Sequence, residues 1–288
     1  MPSTLQKSAA ALIEDLRFPE REAGETYHAA LEAAISRIKS EAVLAEDENS
    51  ASEAWRAETI FAVQRAFISM FKLLKRGEYY AAWCDLERCE IQLASLLKHF
   101  KPFKADEHRL LLLGRMIERW QQIFPYKVFF SPELLKKRIV CGICSARVTP
   151  RSHCGHDKGQ LYKGEQCHHI VEEVQLLSIS IVTDPVQKYS VAFLSGPDGQ
   201  IDRYNYGNLK FVVDRVRSPF HEWWLERTTM IIAPQAVAHL TAEDPCPCLS
   251  GKTFGDCCRG TGPITVPHLQ ITFSAPPDNS LSENELLF

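Results

Sequence analysis

Two short stretches of the chain concentrate cysteine and histidine at spacings suited to holding a metal. The first is Cys246-Pro-Cys248-Leu-Ser250-Gly251-Lys252-Thr-Phe254-Gly-Asp-Cys257-Cys258. Zinc in structural sites prefers a closed tetrahedron of thiolate and imidazole ligands, and two tight cysteine pairs separated by a glycine-containing turn can supply one. Pro247 limits the freedom of the first pair, Ser250 and Gly251 provide the turn, and Phe254 offers an apolar anchor. Four thiolates leave no open coordination position, so the chemistry is structural rather than catalytic. The second stretch runs Cys141-Gly-Ile-Cys144, a nine-residue loop, Cys154-Gly-His156, and then Cys167-His168-His169. The expected ligand set is Cys141, Cys144, Cys154 and His156, with Cys167, His168 or His153 as replacements, because closeness along the chain does not say which side chains converge. His169 also reads as a neighbouring or core residue. These clusters hold eight of the ten cysteines, so about two Zn2+ ions are the expected cofactors and disulfides are not. Cys84 and Cys89 lie in a helical pattern and read as core packing.

The Cys-x-Cys-x-Ser-Gly spacing of residues 246–251, closed by Cys257-Cys258, resembles the SEC-C motif, named from the C-terminus of the SecA translocation ATPase. That resemblance covers about 13 residues. It implies zinc and a docking role, since in SecA the knuckle contacts the chaperone SecB and ribosomes, and the motif is appended to many otherwise unrelated bacterial proteins. The chain contains no G-x-x-x-x-G-K-S/T loop, which excludes the SecA motor. Lys252 and Arg259 beside Phe254 are expected to form a small basic and aromatic face for an acidic protein partner. Separately, Cys167-His168-His169-Ile170 with Asn208-Leu209 and His221 resembles the HNH nuclease pattern. This implies an alternative, a hydrolase using His168, His169 and His221 with an exchangeable magnesium or manganese ion. Residues 141–193 are also similar to zinc-containing segments of phage-related proteins, which implies that zinc knuckle and following hairpin form one module.

Composition narrows the classes further. A net charge of −3 and a pI near 6.4 give no global attraction to nucleic acid, leaving only a local basic patch open. No run approaches the roughly 18 apolar residues of a membrane span, so no membrane insertion is expected. The N-terminal MPSTLQKSAAALIEDLRF lacks a basic leader and a long apolar core, and reads as a cytoplasmic start.

The elements that must position the clusters follow from periodicity. Residues 1–128 read as a helical domain: Ile60, Val63, Phe67, Met70, Phe71 and Leu74 form one stripe, and Leu86, Leu93, Leu96 and Leu97 another. Gly77 marks a helix end between them, and Pro102 and Pro125 mark later boundaries. Residues 129–240 read as a central zinc-bearing α+β domain, in which LLSISIVTDPVQKYSVAFL gives two strands about Asp184-Pro185. A helix from Asn208 to Val216 and a second helical piece containing Trp223 and Trp224 follow. Residues 241–262 are the C-terminal knuckle and 263–288 a flexible tail, whose Leu286, Leu287 and Phe288 could dock in a groove. The fold class is therefore α+β, mainly helical. The expected function is that of a non-enzymatic interaction or adaptor protein, with the knuckle folding locally, so that removing residues 246–288 would leave the rest folded.

Overall fold

The computed structural model describes residues 9–17, 25–101, 106–152, 154–193 and 201–274. It is α+β with a helical bias, as composition and periodicity indicate. The helices α1 (Ala9–Asp15), α2 (Glu25–Leu44), α3 (Glu48–Lys75), α4 (Tyr79–His99) and α5 (Leu110–Ile123) come first. They precede β1 (Phe129–Cys141), the two-residue strands β2 (Leu161–Tyr162) and β3 (Glu165–Gln166), and β4 (His169–Val182). Then come α6 (Gly207–Arg215), β5 (Trp223–Ile232), a 3-10 turn Pro234–Val237 and β6 (Ile264–Phe273). The chain divides into two compact units, residues 1–121 with 125–204, and residues 122–124 with 205–288. This grouping differs from boundaries at 128, 240 and 262: the central cluster belongs with the helices, and the knuckle with β5 and β6.

In the first unit the apolar stripe of α3 is the core, with Ile60, Val63, Phe67, Met70 and Leu74 all at or below 1% exposure. Asp47 starts this helix by accepting from the Ser50 N–H at 3.0 Å. Gly77 (φ 76°) ends it in a Schellman arrangement, with Gly77 N donating to Leu74 O and Glu78 N to Leu73 O, both at 3.0 Å. On α4, Leu86, Leu93 and Leu96 face inward, whereas Leu97 is 38% exposed, one step off the buried stripe. Cys89 is buried and Cys84 half-buried.

β1 and β4 form a long antiparallel ribbon rather than consecutive strands about Asp184-Pro185. The LSISIV segment pairs back onto β1, and Val191 makes only an isolated bridge to Phe129. The reason lies in the residues after the turn. Lys188 is tied to α4 through its N–H to Glu87 at 2.6 Å and its Nζ to Glu90, while its carbonyl accepts from Trp83 Nε1 at 2.6 Å. At the other end of the ribbon, the residues joining β1 to β4 dock on α2, α3 and α4. Lys163 N donates to Glu48 at 2.6 Å, Lys39 bridges Glu58 and Glu165, Ser95 Oγ bonds Gln166, and His99 meets the Gly159 carbonyl at 2.8 Å.

Gly164 makes that docking close. At φ 69° a Cβ would lie 2.8 Å from the Ala51 carbonyl oxygen of α3. Gly164→Ala is expected to cost about 1–3 kcal/mol, lowering the unfolding temperature of this unit by several degrees. Gly155→Ala, equally left-handed at φ 86° but with open space around it, should cost less. Equal shifts in a thermal melt would remove the close approach as the cause.

In the second unit, α6 spans nearly the residues expected. Trp223 and Trp224, however, begin a strand instead of lying in a helix: β5 is rich in β-branched residues, Thr228, Thr229, Ile231 and Ile232, and pairs with β6 from Trp223↔Phe273 to Ile232↔Ile264. Residues 264–273, expected as the start of a flexible tail, are thus strand, with Ile264 and Val266 at 2% and 0% exposure. Leu286, Leu287 and Phe288 lie outside the described residues.

Candidate metal centres

The terminal knuckle is inserted between β5 and β6 and is built by backbone hydrogen bonds around its donors. Cys246 N donates to Lys252 O at 2.9 Å, closing the Cys-Pro-Cys-Leu-Ser-Gly loop, and Leu249 N donates to Cys246 O at 3.0 Å. Leu249 (φ 57°) and Gly251 (φ 79°) take left-handed conformations that turn the loop back. Phe254 N to Asp244 O at 2.7 Å and Arg259 N to Phe254 O at 3.0 Å then bring the second cysteine pair under the first. Cys248 Sγ lies 3.3 Å from Cys246 Sγ and 3.5 Å from Cys257 Sγ, and Cys257 Sγ lies 3.7 Å from Cys258 Sγ. Sulfur atoms on a tetrahedral zinc are about 3.8 Å apart, so the donors are already gathered at nearly coordinating separations. All four ligand atoms lie within 4.8 Å of one another.

Phe254 does not belong to a docking face. It is 7% exposed and packs with Cys246, Ile232, Val237, Ile264 and Val266, so it anchors the knuckle to the strand pair. Lys252 and Arg259 are exposed, and the exposed large apolar side chain of the same knuckle is Leu249, at 68% exposure. Its position in a left-handed turn was not legible from residue type, since leucine rarely occupies that conformation.

The central cluster closes one end of the β1–β4 ribbon. Cys141 is the last residue of β1 and pairs with His169, the first of β4. The Cys-Gly-Ile-Cys turn is tight: Gly142 N donates to His168 O at 2.8 Å, and Ser145 N to Cys141 O at 2.8 Å. Cys141, Cys144, Cys154 and His156 present ligand atoms within 4.8 Å of one another, with His156 Nδ1 3.7 Å from Cys141 Sγ and 3.5 Å from Cys154 Sγ. Tyr162 packs edge-on against the His156 ring at 4.6 Å, which fixes its orientation.

A fifth donor lies alongside. Cys167, fully buried, has its Sγ 3.8 Å from that of Cys141. His168 contributes its carbonyl rather than its ring to the turn, and His153 lies outside the described residues. Among the described residues the two four-donor groups contain neither His168, His169 nor His221. His221 is buried and its Nδ1 accepts from Arg217 N at 3.2 Å.

The thiols show why these clusters suit a cation. At Cys141 burial opposes ionisation, but the N–H groups of Cys144 and Ile143 and the Cys154 and Cys167 thiols outweigh it and hold Cys141 down at about 6. Burial, then the neighbouring Cys141 thiolate, pushes Cys167 up to about 11. In the knuckle, Ser250 and Cys246 hold Cys248 at about 6, while hydrogen bonding to Cys246 and burial push Cys258 up to about 12. In each cluster one thiolate forms readily and suppresses the next, so full ionisation calls for a compensating positive charge at its centre. Both clusters can hold a metal ion.

Among the described residues no helix is long and apolar enough to cross a membrane. A family model described as the SEC-C motif matches residues 244–260. No curated protein and no solved structure matches the chain.

Proposed function

We propose that this chain is a cytoplasmic, zinc-binding interaction protein without catalytic activity of its own, in which two closed zinc centres brace surfaces that bind other proteins. The carrying observation is the donor sets: four sulfurs in the knuckle, and three sulfurs with one imidazole in the central cluster, each gathered to within 4.8 Å. Four such ligands fill a tetrahedral zinc and leave no position for substrate or activated water. Zinc is favoured over magnesium or calcium because soft thiolates, not oxygens, make up the sites.

The docking surface of the knuckle consists of Lys252, Arg259 and Leu249. Nearby acidic groups are turned to local duties: Asp244 accepts from Thr241 N at 2.6 Å and Asp256 from Thr253 Oγ1 at 2.9 Å. These carboxylates stay ionised but are engaged within the knuckle, and Lys252 and Arg259 supply the cations for an acidic surface with an apolar spot at Leu249. The face is small, so the contact it makes is weak and transient unless a second surface contributes. In an affinity capture at physiological salt, the double variant Lys252→Glu/Arg259→Glu is expected to recover clearly less of the proteins bound by the wild type, with its metal content unchanged. Identical capture by both proteins would leave the knuckle a purely structural device.

A further inference from the structure

The β1–β4 ribbon has two chemically different faces, and its register shows which residues share each. Residues directly opposite in an antiparallel pair point to the same side, and alternate pairs to opposite sides. One face carries the pairs Phe130↔Ile181, Pro132↔Ile179 and Leu134↔Leu176. The other carries Ser131↔Ser180, Glu133↔Ser178 and Leu135↔Gln175. Bulges at Leu177, Lys137 and Glu172 would otherwise flip this alternation, but they fall so that Lys136↔Val174 and Ile139↔Val171 continue the first face and Arg138↔Glu173 the second. An apolar face thus runs the length of the ribbon, with a single charged side chain.

That face is bare. Ile181 is 70% exposed, Ile179 60%, Leu176 54% and Val174 50%. A two-stranded ribbon is marginal in water unless its apolar side is packed. Here both ends are held, by Phe129 stacked on Trp83 at one and by the cysteine cluster at the other, so the middle is presented in a fixed shape without being covered.

We propose that a second copy of this chain covers this face, the two ribbons packing face to face as a small two-layer sandwich. Three observations select that occupant. The ribbon's charges cancel: Arg138 pairs with Glu172 at 2.5 Å and Lys137 with Glu173 at 3.8 Å, and Glu133 offsets Lys136, so no net charge favours an acidic or basic partner. Its edges resist strand addition, because Pro132 contributes no N–H and three bulges interrupt the register, which leaves packing of the face as the available mode. The exposed apolar side chains present on the order of 500 Å2 per copy, so two identical faces laid together bury on the order of 1,000 Å2, about the threshold for a specific interface. A two-fold axis brings like faces together without any further complementarity. This goes beyond the metal and docking reading, since it depends on neither the identity of the ions nor the knuckle.

The test is the solution mass of the full-length protein by light scattering at on the order of 10–100 µM, where an interface of this size associates. Wild type is expected at twice the 32.7 kDa chain mass, and Ile179→Glu and Leu134→Lys, on opposite strands of the same face, at the monomer mass. Ser180→Glu, on the polar face, should remain dimeric. Circular dichroism and metal content matching wild type will show that each variant is folded. A monomeric wild type overturns the proposal, including the case where the apolar face captures a different protein instead. A dimer that survives both apolar-face variants overturns it as well, since the copies would then meet elsewhere.

Discussion

A chain ending at Gly262 is expected to lose the cooperative unfolding transition of the second unit, whereas one ending at Ser274 should melt like the full-length protein. The first truncation removes β6 and with it all ten paired positions of β5. It also removes Ile264 and Val266, which close the cluster around Val237, Cys246 and Phe254. Each buried aliphatic side chain of this kind contributes about 1.5–3 kcal/mol, and a domain's whole stability is about 5–15 kcal/mol. Losing two such side chains together with the strand's hydrogen bonds is enough to unfold the unit. Limited proteolysis should cut the shorter chain after α6, and its knuckle should lose metal, because Phe254 and Cys246 lose Ile264 and Val266 from the cluster they pack in. Metal retention and a wild-type melt in the 1–262 chain would show that the knuckle folds by itself. Removal of residues 246–288, expected from the sequence to be harmless to the body of the protein, takes β6 with it and so disrupts the second unit in the same way.

The second large effect concerns the metals themselves. Protein purified without added zinc should carry close to two equivalents, falling to one in Cys141→Ser and to one in Cys246→Ser, with different halves of the molecule affected. Structural zinc contributes folding free energy directly, apparent values being about 10–16 kcal/mol in isolated zinc modules. Cys141→Ser is therefore expected to release the β1–β4 connection and expose the ribbon to protease, and Cys246→Ser to loosen the β5–β6 unit. Cys167→Ser should keep two equivalents if the fifth thiol is a neighbour of the ion; a drop to one would make it a ligand in place of a member of the expected set. Protons compete with the metal for the thiolates. Cys141 and Cys248, held at about 6, favour metal retention above that pH, and both centres should empty as pH falls through and below it. Metal analysis after dialysis across that range checks the sign, and metal lost first on raising the pH would contradict it.

Local chemistry was written in the order of the residues. The spacings Cys-x2-Cys, Cys-x-His, Cys-x-Cys and Cys-Cys selected the same eight residues that the structure draws into two groups, because ligands close in sequence converge through short turns whose glycines and proline are visible as letters. The helical stripe from Ile60 to Leu74 was legible for a similar reason: a period of 3.6 sustained over several turns is the mark of one helix face turned to a core. The long-range partners of the remaining segments emerged only in three dimensions. LSISIV carries a strand pattern but no statement of its partner, and it joined β1 because Lys188 and Trp83 hold the following residues against α4. Residues 264–273 lie beside a Pro, Ser and Asn-rich stretch that hid their β-branched content, and they became strand because β5 had a free edge and Val237 and Phe254 an uncovered side. Phe254 looked like a surface contact from its neighbours Lys252 and Arg259, yet burial depends on what lies across space. Cys167, 26 positions from Cys141 along the chain, reaches it only because β1 and β4 pair and bring their ends together. Spacing encodes short loops strongly, whereas strand pairing over long separations is fixed by the joint packing of many residues, and no single segment carries that information.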